Sequence, residues 1–145
     1  MIIKERVLES INEIKTYPPE SQSLVINSIG YGILGMIGEG LQALNQLKLT
    51  NYSLLDGHLS DFSYAAFLNS MLYKAVAHNG QNKLLNAVSF GVMPLVMTLS
   101  ELIASNTDEK DIIAYWLGGI AGALTTKLGS KMIKKFNTIR LEERI

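Results

Sequence analysis

The stretch from Leu24 to Leu44 constrains this chain more than any other feature. Over about 21 residues it carries a single charge, Glu39. A helix rises 1.5 Å per residue, so such a stretch is long enough to cross a hydrocarbon layer about 30 Å thick. Three further apolar runs follow, Phe62 to Ala77, Leu84 to Ala104 and Ile112 to Leu128. Lys74 lies near the end of the first of these, where its side chain can reach back to water. Polar, turn-rich segments separate the runs: Asn45 to Leu59, His78 to Asn82 and Ser105 to Lys110. In the last, Thr107 or Asp108 is placed to cap the helix that follows. No run alternates with period two, which argues against strands.

These runs predict an all-α fold: a bundle of about four transmembrane helices, preceded by an amphipathic helix and followed by a basic tail. The expected divisions are 1–20 for the amphipathic segment, 21–130 for the bundle and 131–145 for the tail. Ile3, Val7, Leu8, Ile11 and Ile14 recur at helical spacing within residues 2–16, with charges on the other face, and Pro18-Pro19 ends that helix. It either packs on its own protein or lies at a membrane interface. The mixture of charges there is not that of a signal peptide.

The chain is 145 residues long, the size of one domain, and 18% of it is charged, against about 25% in soluble domains. Net charge is zero, but its distribution is uneven. Six of the 13 Lys and Arg residues lie in the last 19 positions. With both termini cytoplasmic, the inner segments hold Lys4, Arg6, Lys15, Lys74, Lys83 and the tail. The outer loops hold Asp56, Asp61, Asp108, Glu109 and Asp111 beside only Lys48 and Lys110. That is the positive-inside pattern of a multi-pass cell-membrane protein. A soluble helical bundle is the alternative. The absence of cysteine excludes disulfides, thiol catalysis and thiolate metal sites.

Gly30-Tyr31-Gly32-Ile33-Leu34-Gly35 matches the dinucleotide fingerprint as a string, but no βαβ unit surrounds it. Gly35, with Gly38 and Gly40, reads better as a helix face that admits a close neighbour. Gly118 and Gly122 form a GxxxG pair, continued by Thr126 and Ser130, and read as a packing seam within the chain rather than a dimer contact. Glu39 and Gln42 share a helix face, and Glu101 ends the third run. Together with Asp111 these four are candidates for a polar site. The competing reading is that the glutamates are solvated at an interface. His58 and His78 fall in different segments on opposite sides and are read as solvent-exposed, so no metal site is expected. No nucleophile elbow occurs, no cofactor motif stands out, and an enzyme is not expected. Lys131, Lys134, Lys135 and Arg140 suit anionic lipid headgroups, at about 1 kcal/mol each near a surface. Membrane lipid is therefore the expected partner and a second copy a further option. Nucleic acid is not expected, because only Phe136 interleaves the basic tail.

From Phe62 onward the chain resembles the VanZ-like family of small membrane proteins. In that pattern an acidic residue closes one helix, and after a loop the next opens with Asp, a polar residue, Gly and Gly at fixed steps. Glu101, Asp111, Gly118 and Gly122 stand at the matching positions, and Asp61 loosely matches an acidic residue before the second helix. Tyr115 replaces the usual Asn, Ala104 the Gln, and the loop Arg is absent. Glu39 and Gln42 look like the missing Glu–Gln pair on another helix. The resemblance implies a four-helix membrane fold and, for some members, glycopeptide resistance. It implies no particular chemistry. The function expected is a small integral membrane protein acting at the cell envelope. An oligomeric pore, holin-like or defence effector protein and a soluble helical adaptor are the alternatives.

Overall fold

A computed structural model describes residues 2–47, 58–79, 83–104 and 108–142. Among them are six helices and no strand: α1 (Ile2–Ile14), α2 (Pro19–Gln46), α3 (His58–Asn79), α4 (Lys83–Val88), α5 (Val92–Ala104) and α6 (Glu109–Glu142). The all-helical bundle expected from the apolar runs is present. One helix, α2, is both long and apolar enough to cross a membrane by itself, rather than four; α5 is apolar but has 13 residues.

Proline sets the first corner. Pro18 takes an extended conformation, φ −54° and ψ 146°, and Pro19 opens α2, where its missing N–H costs nothing. The Gln22 side-chain amide donates to the carbonyls of Lys15 and Tyr17, at 3.2 and 2.7 Å, and fixes the join. α1 itself stays uncovered. Ile3 is 80% exposed, and Val7, Leu8 and Ile11 are also exposed, so its apolar stripe does not pack on the other described residues.

The centre of the bundle is the pair α3 and α6, which run parallel. The register steps from Phe62 against Gly118 to Ala66 against Gly122. A Cβ at either glycine would fall on the carbonyl oxygen of the residue opposite, so only glycine permits this approach. The seam is thus internal, as its spacing predicted. Ser70 donates to the Gly122 carbonyl at 3.0 Å and Asn69 to that of Gly119 at 2.6 Å. α2 runs antiparallel to both. Ser23 donates to the Thr126 carbonyl (3.1 Å), Asn27 to the Thr126 hydroxyl (3.0 Å), and further along α2 Tyr31 meets Phe62 edge-on. Gly38, not Gly35, makes the close approach of α2 to α3: a Cβ there would lie 2.8 Å from the Ser60 nitrogen, whereas one at Gly35 would be in ordinary contact with Ser63.

The third apolar run is not one helix. It breaks at residues 89–91 into α4 and α5. Pro94 has no N–H to offer the Phe90 carbonyl four residues back, and that carbonyl is then free to accept from another source. The Asn69 side chain, fully buried on α3, supplies the donor at 3.2 Å. Its own Oδ1 is buried without a partner.

What fills the interior is unlike a water-soluble core. The largest fully buried side chains are Asn69, Thr126, Pro94, Ser23, Ser70 and Ser89, while Ala65, Ala66 and Ala123 line the seams. The large apolar side chains point out: Ile29, Met36 and Ile37 on α2, Leu99 and Ile103 on α5, Leu117 and Leu124 on α6. Ile103 is 83% exposed and Met36 69%. The buried hydroxyls of Ser63, Thr126 and Ser130 each donate to a carbonyl four residues back in their own helix, and the single Ser70 hydrogen is shared between the Ala66 and Gly122 carbonyls, so they leave no donor unmet.

Candidate functional site

Acidic residues from three helices gather at one end of the bundle. The antiparallel path brings the end of α5 beside the starts of α3 and α6. Asp108 caps α6: its Oδ1 accepts from the Lys110 backbone N–H at 2.9 Å. Asp111 follows in the first turn, where the positive end of the helix dipole favours a carboxylate.

Asp111 is the hub. The His58 Nδ1 lies 2.7 Å from its Oδ1, and both side chains are largely covered, at 20% and 24% exposure. This corrects the expectation that His58 is solvent-exposed. On the other side the Asp61 carboxyl lies within reach of that of Asp111. Asp61 stands one residue ahead of the apolar run that begins at Phe62. Tyr115, one turn after Asp111 and buried, donates to Glu101 Oε1 at 2.9 Å. The result is one polar cluster: His58 and Asp111 joined directly, with Asp61, Tyr115 and Glu101 beside them.

Of the four candidates named from sequence, Glu101 and Asp111 join this cluster. Glu39 lies at the same end but on the surface, at the mouth of a groove between α2 and α3 of about 480 Å³ whose other wall includes Asp61. Gln42 lines neither that groove nor a second, mostly apolar hollow of about 390 Å³ beside His58, Phe62 and Leu117. His58, Asp61 and Tyr115 were not legible as site members. The only local signals are His58 three residues ahead of Asp61 and Tyr115 four after Asp111, each pair on one helix face.

His58, Asp108 and Asp111 each offer a ligand atom, and these atoms lie within 4.8 Å of one another. Such a set of one imidazole nitrogen and two carboxylate oxygens is of the kind that holds a divalent cation. The arrangement is also suited to holding and passing a proton, and to accepting hydrogen bonds from a donor-rich ligand.

The opposite end is basic. Lys134 pairs with Glu20 at 2.6 Å, and the Lys127 ammonium sits 5.8 Å from the centre of the Phe90 ring. Lys131, Lys134 and Lys135 are exposed on the last turns of α6, which runs without a break through Ser130; the Arg140 side chain lies outside the described residues.

No family model, curated protein or solved structure matches this chain.

Proposed function

We propose that the chain is a small integral protein of the cell membrane that carries a proton-sharing carboxylate, histidine and tyrosine site at its outer end, acting at the cell envelope in the manner of VanZ-like proteins. The observation that carries this reading is the reversed polarity of the bundle. Isoleucine, leucine and methionine cover the outside of α2, α5 and α6, while serine, threonine, asparagine, glycine and alanine fill the contacts. In water, exposing that much apolar surface is unfavourable at about 25 cal/mol per Å². In lipid the exposure carries no such penalty, and small residues with inter-helix hydrogen bonds are what hold helices together.

The other spans follow from the same logic. α3 rises about 33 Å over its 22 residues. α4 and α5 cross as a broken helix whose freed carbonyl is satisfied inside the protein. The acidic end and the basic end oppose one another, with α1 and the end of α6 both at the basic one, consistent with cytoplasmic termini. α1 then lies in the interface with its uncovered apolar stripe in the lipid, and Lys131, Lys134 and Lys135 meet anionic headgroups.

An alkaline wash tests the reading directly. The tagged protein is expected to stay with the membrane pellet, and a reporter active only in the cytoplasm is expected to work when fused after Ile145. Release into the soluble fraction would establish the soluble helical adaptor instead.

A further inference from the structure

Five helical glycines in this bundle, Gly38, Gly118, Gly119, Gly122 and Gly129, are explained by what they touch, since a Cβ at each would collide with a neighbour. Gly30, Gly32 and Gly40 are not: a Cβ at any of them would meet nothing within 4 Å among the described residues, and of the three Gly32 alone borders a groove. A glycine inside a helix costs about 1 kcal/mol relative to alanine, so an uncontacted one asks for a reason. Gly32 and Gly35 line the α2 side of the groove between α2 and α3.

The rest of the groove has a definite character. Tyr64 and Phe67 line it from α3. Ser28, at its far end on α2, returns its hydroxyl to the Leu24 carbonyl at 2.8 Å, so it does not call for a polar ligand. The lining changes at the acidic end, where Glu39 of α2 and Asp61 of α3 both border the space. From Ser28 to Glu39 the helix rises about 16 Å, so the hollow is long, narrow and apolar, with carboxyl groups at one end only.

We propose that this groove holds one hydrocarbon chain of an amphiphile whose amine head sits between the Glu39 and Asp61 carboxyls. The proposal rests on the membrane reading above, because a chain enters such a groove from the surrounding lipid. The volume of the groove, about 480 Å³, suits a single chain. The sign of the mouth selects the head: an ammonium donates to both carboxylates, whereas a phosphate is repelled by them. A neutral alcohol keeps the chain contacts and loses the ionic ones.

Photolabelling in native membrane vesicles tests this with three probes that share one diazirine-bearing C18 chain: a primary amine, an alcohol and a phosphate ester. The amine is expected to label the peptides around residues 28–39 and 60–67 at least tenfold more than the phosphate does. Gly32→Leu puts a branched side chain into the groove, beyond a Cβ that itself meets nothing within 4 Å among the described residues, and is expected to cut amine labelling about tenfold while the protein still accumulates in the membrane. Glu39→Gln combined with Asp61→Asn is expected to bring the amine down to the level of the alcohol. Equal labelling by amine and phosphate, or undiminished labelling of Gly32→Leu, overturns the proposal. The alkaline wash on the same samples separates the two levels: release from the membrane overturns both readings, whereas retention without labelling overturns this one alone.

Discussion

Adding one methyl group to Gly122 and one to Gly32 should move stability in opposite directions. At Gly122 the new Cβ would fall on the Ala66 carbonyl oxygen, 2.7 Å from its carbon and 2.9 Å from the Ala66 Cα. Carbon contacts are comfortable at about 3.5–4.0 Å, so α3 and α6 must part by about 1 Å. Parting them also stretches the hydrogen bonds from Asn69 to Gly119 and from Ser70 to Gly122, which start at 2.6 and 3.0 Å. Overpacking of this kind costs about 1–3 kcal/mol, offset by up to about 1 kcal/mol of better helix propensity. A net loss of about 1–2 kcal/mol should lower the melting temperature by about 2–8 °C for a chain of this size. At Gly32 the methyl meets nothing, so only the propensity term remains and the melting temperature should hold or rise by up to about 4 °C. Circular-dichroism melts of Gly122→Ala and Gly32→Ala in the same mild detergent measure both. If Gly122→Ala melts at or above the wild-type temperature, the close α3–α6 approach is wrong.

A further prediction concerns a buried polar side chain. Asn69→Leu should cost about 1–2 kcal/mol by stranding the Phe90 carbonyl. Because Pro94→Ala returns a helical N–H to that carbonyl, the Asn69→Leu loss should shrink in its presence, and strict additivity in the double-mutant cycle would show the two are not linked.

The sequence made the helices legible where a run was long and its ends were marked. Leu24 to Leu44 lies inside α2, whose start Pro19 announces, and Gly118 and Gly122 declared their seam through a four-residue spacing of small residues. The third run was harder. Gly91 and Pro94 are visible within it, but a proline in an apolar run bends, breaks or merely kinks a helix depending on what satisfies the carbonyl it orphans. Here the answer lay in Asn69, on another helix. The polar cluster escaped for a similar reason. His58 and Asp111 are 53 positions apart, and no local spacing signals that the starts of α3 and α6 lie side by side. That neighbourhood follows from the parallel α3–α6 packing, and only the loop charges, which put Asp61 and Asp111 on one side, pointed towards it.

The deeper ambiguity is one of sign. Helical periodicity tells which residues share a face, not which face turns inward. On α3, Ser63, Ala66, Ser70 and Tyr73 follow one another at steps of three and four and form a single buried stripe, while Tyr64 and Met71 look outward. Read by the rule for proteins in water, the serines of that stripe belong outside. The solvent decides between the two placements. In water, burying the methionine and tyrosine face would win. With apolar surroundings, exposing that face is free, and the gain comes from hydroxyls paired to helical carbonyls and from backbones brought close at Gly118 and Gly122. α1 shows the opposite limit within the same chain. Its charged and apolar faces are cleanly divided and neither is covered by the other described residues, which under the membrane reading proposed above suits a helix lying where water and lipid meet. One chain therefore carries both patterns, and the proposed membrane placement would account for them together.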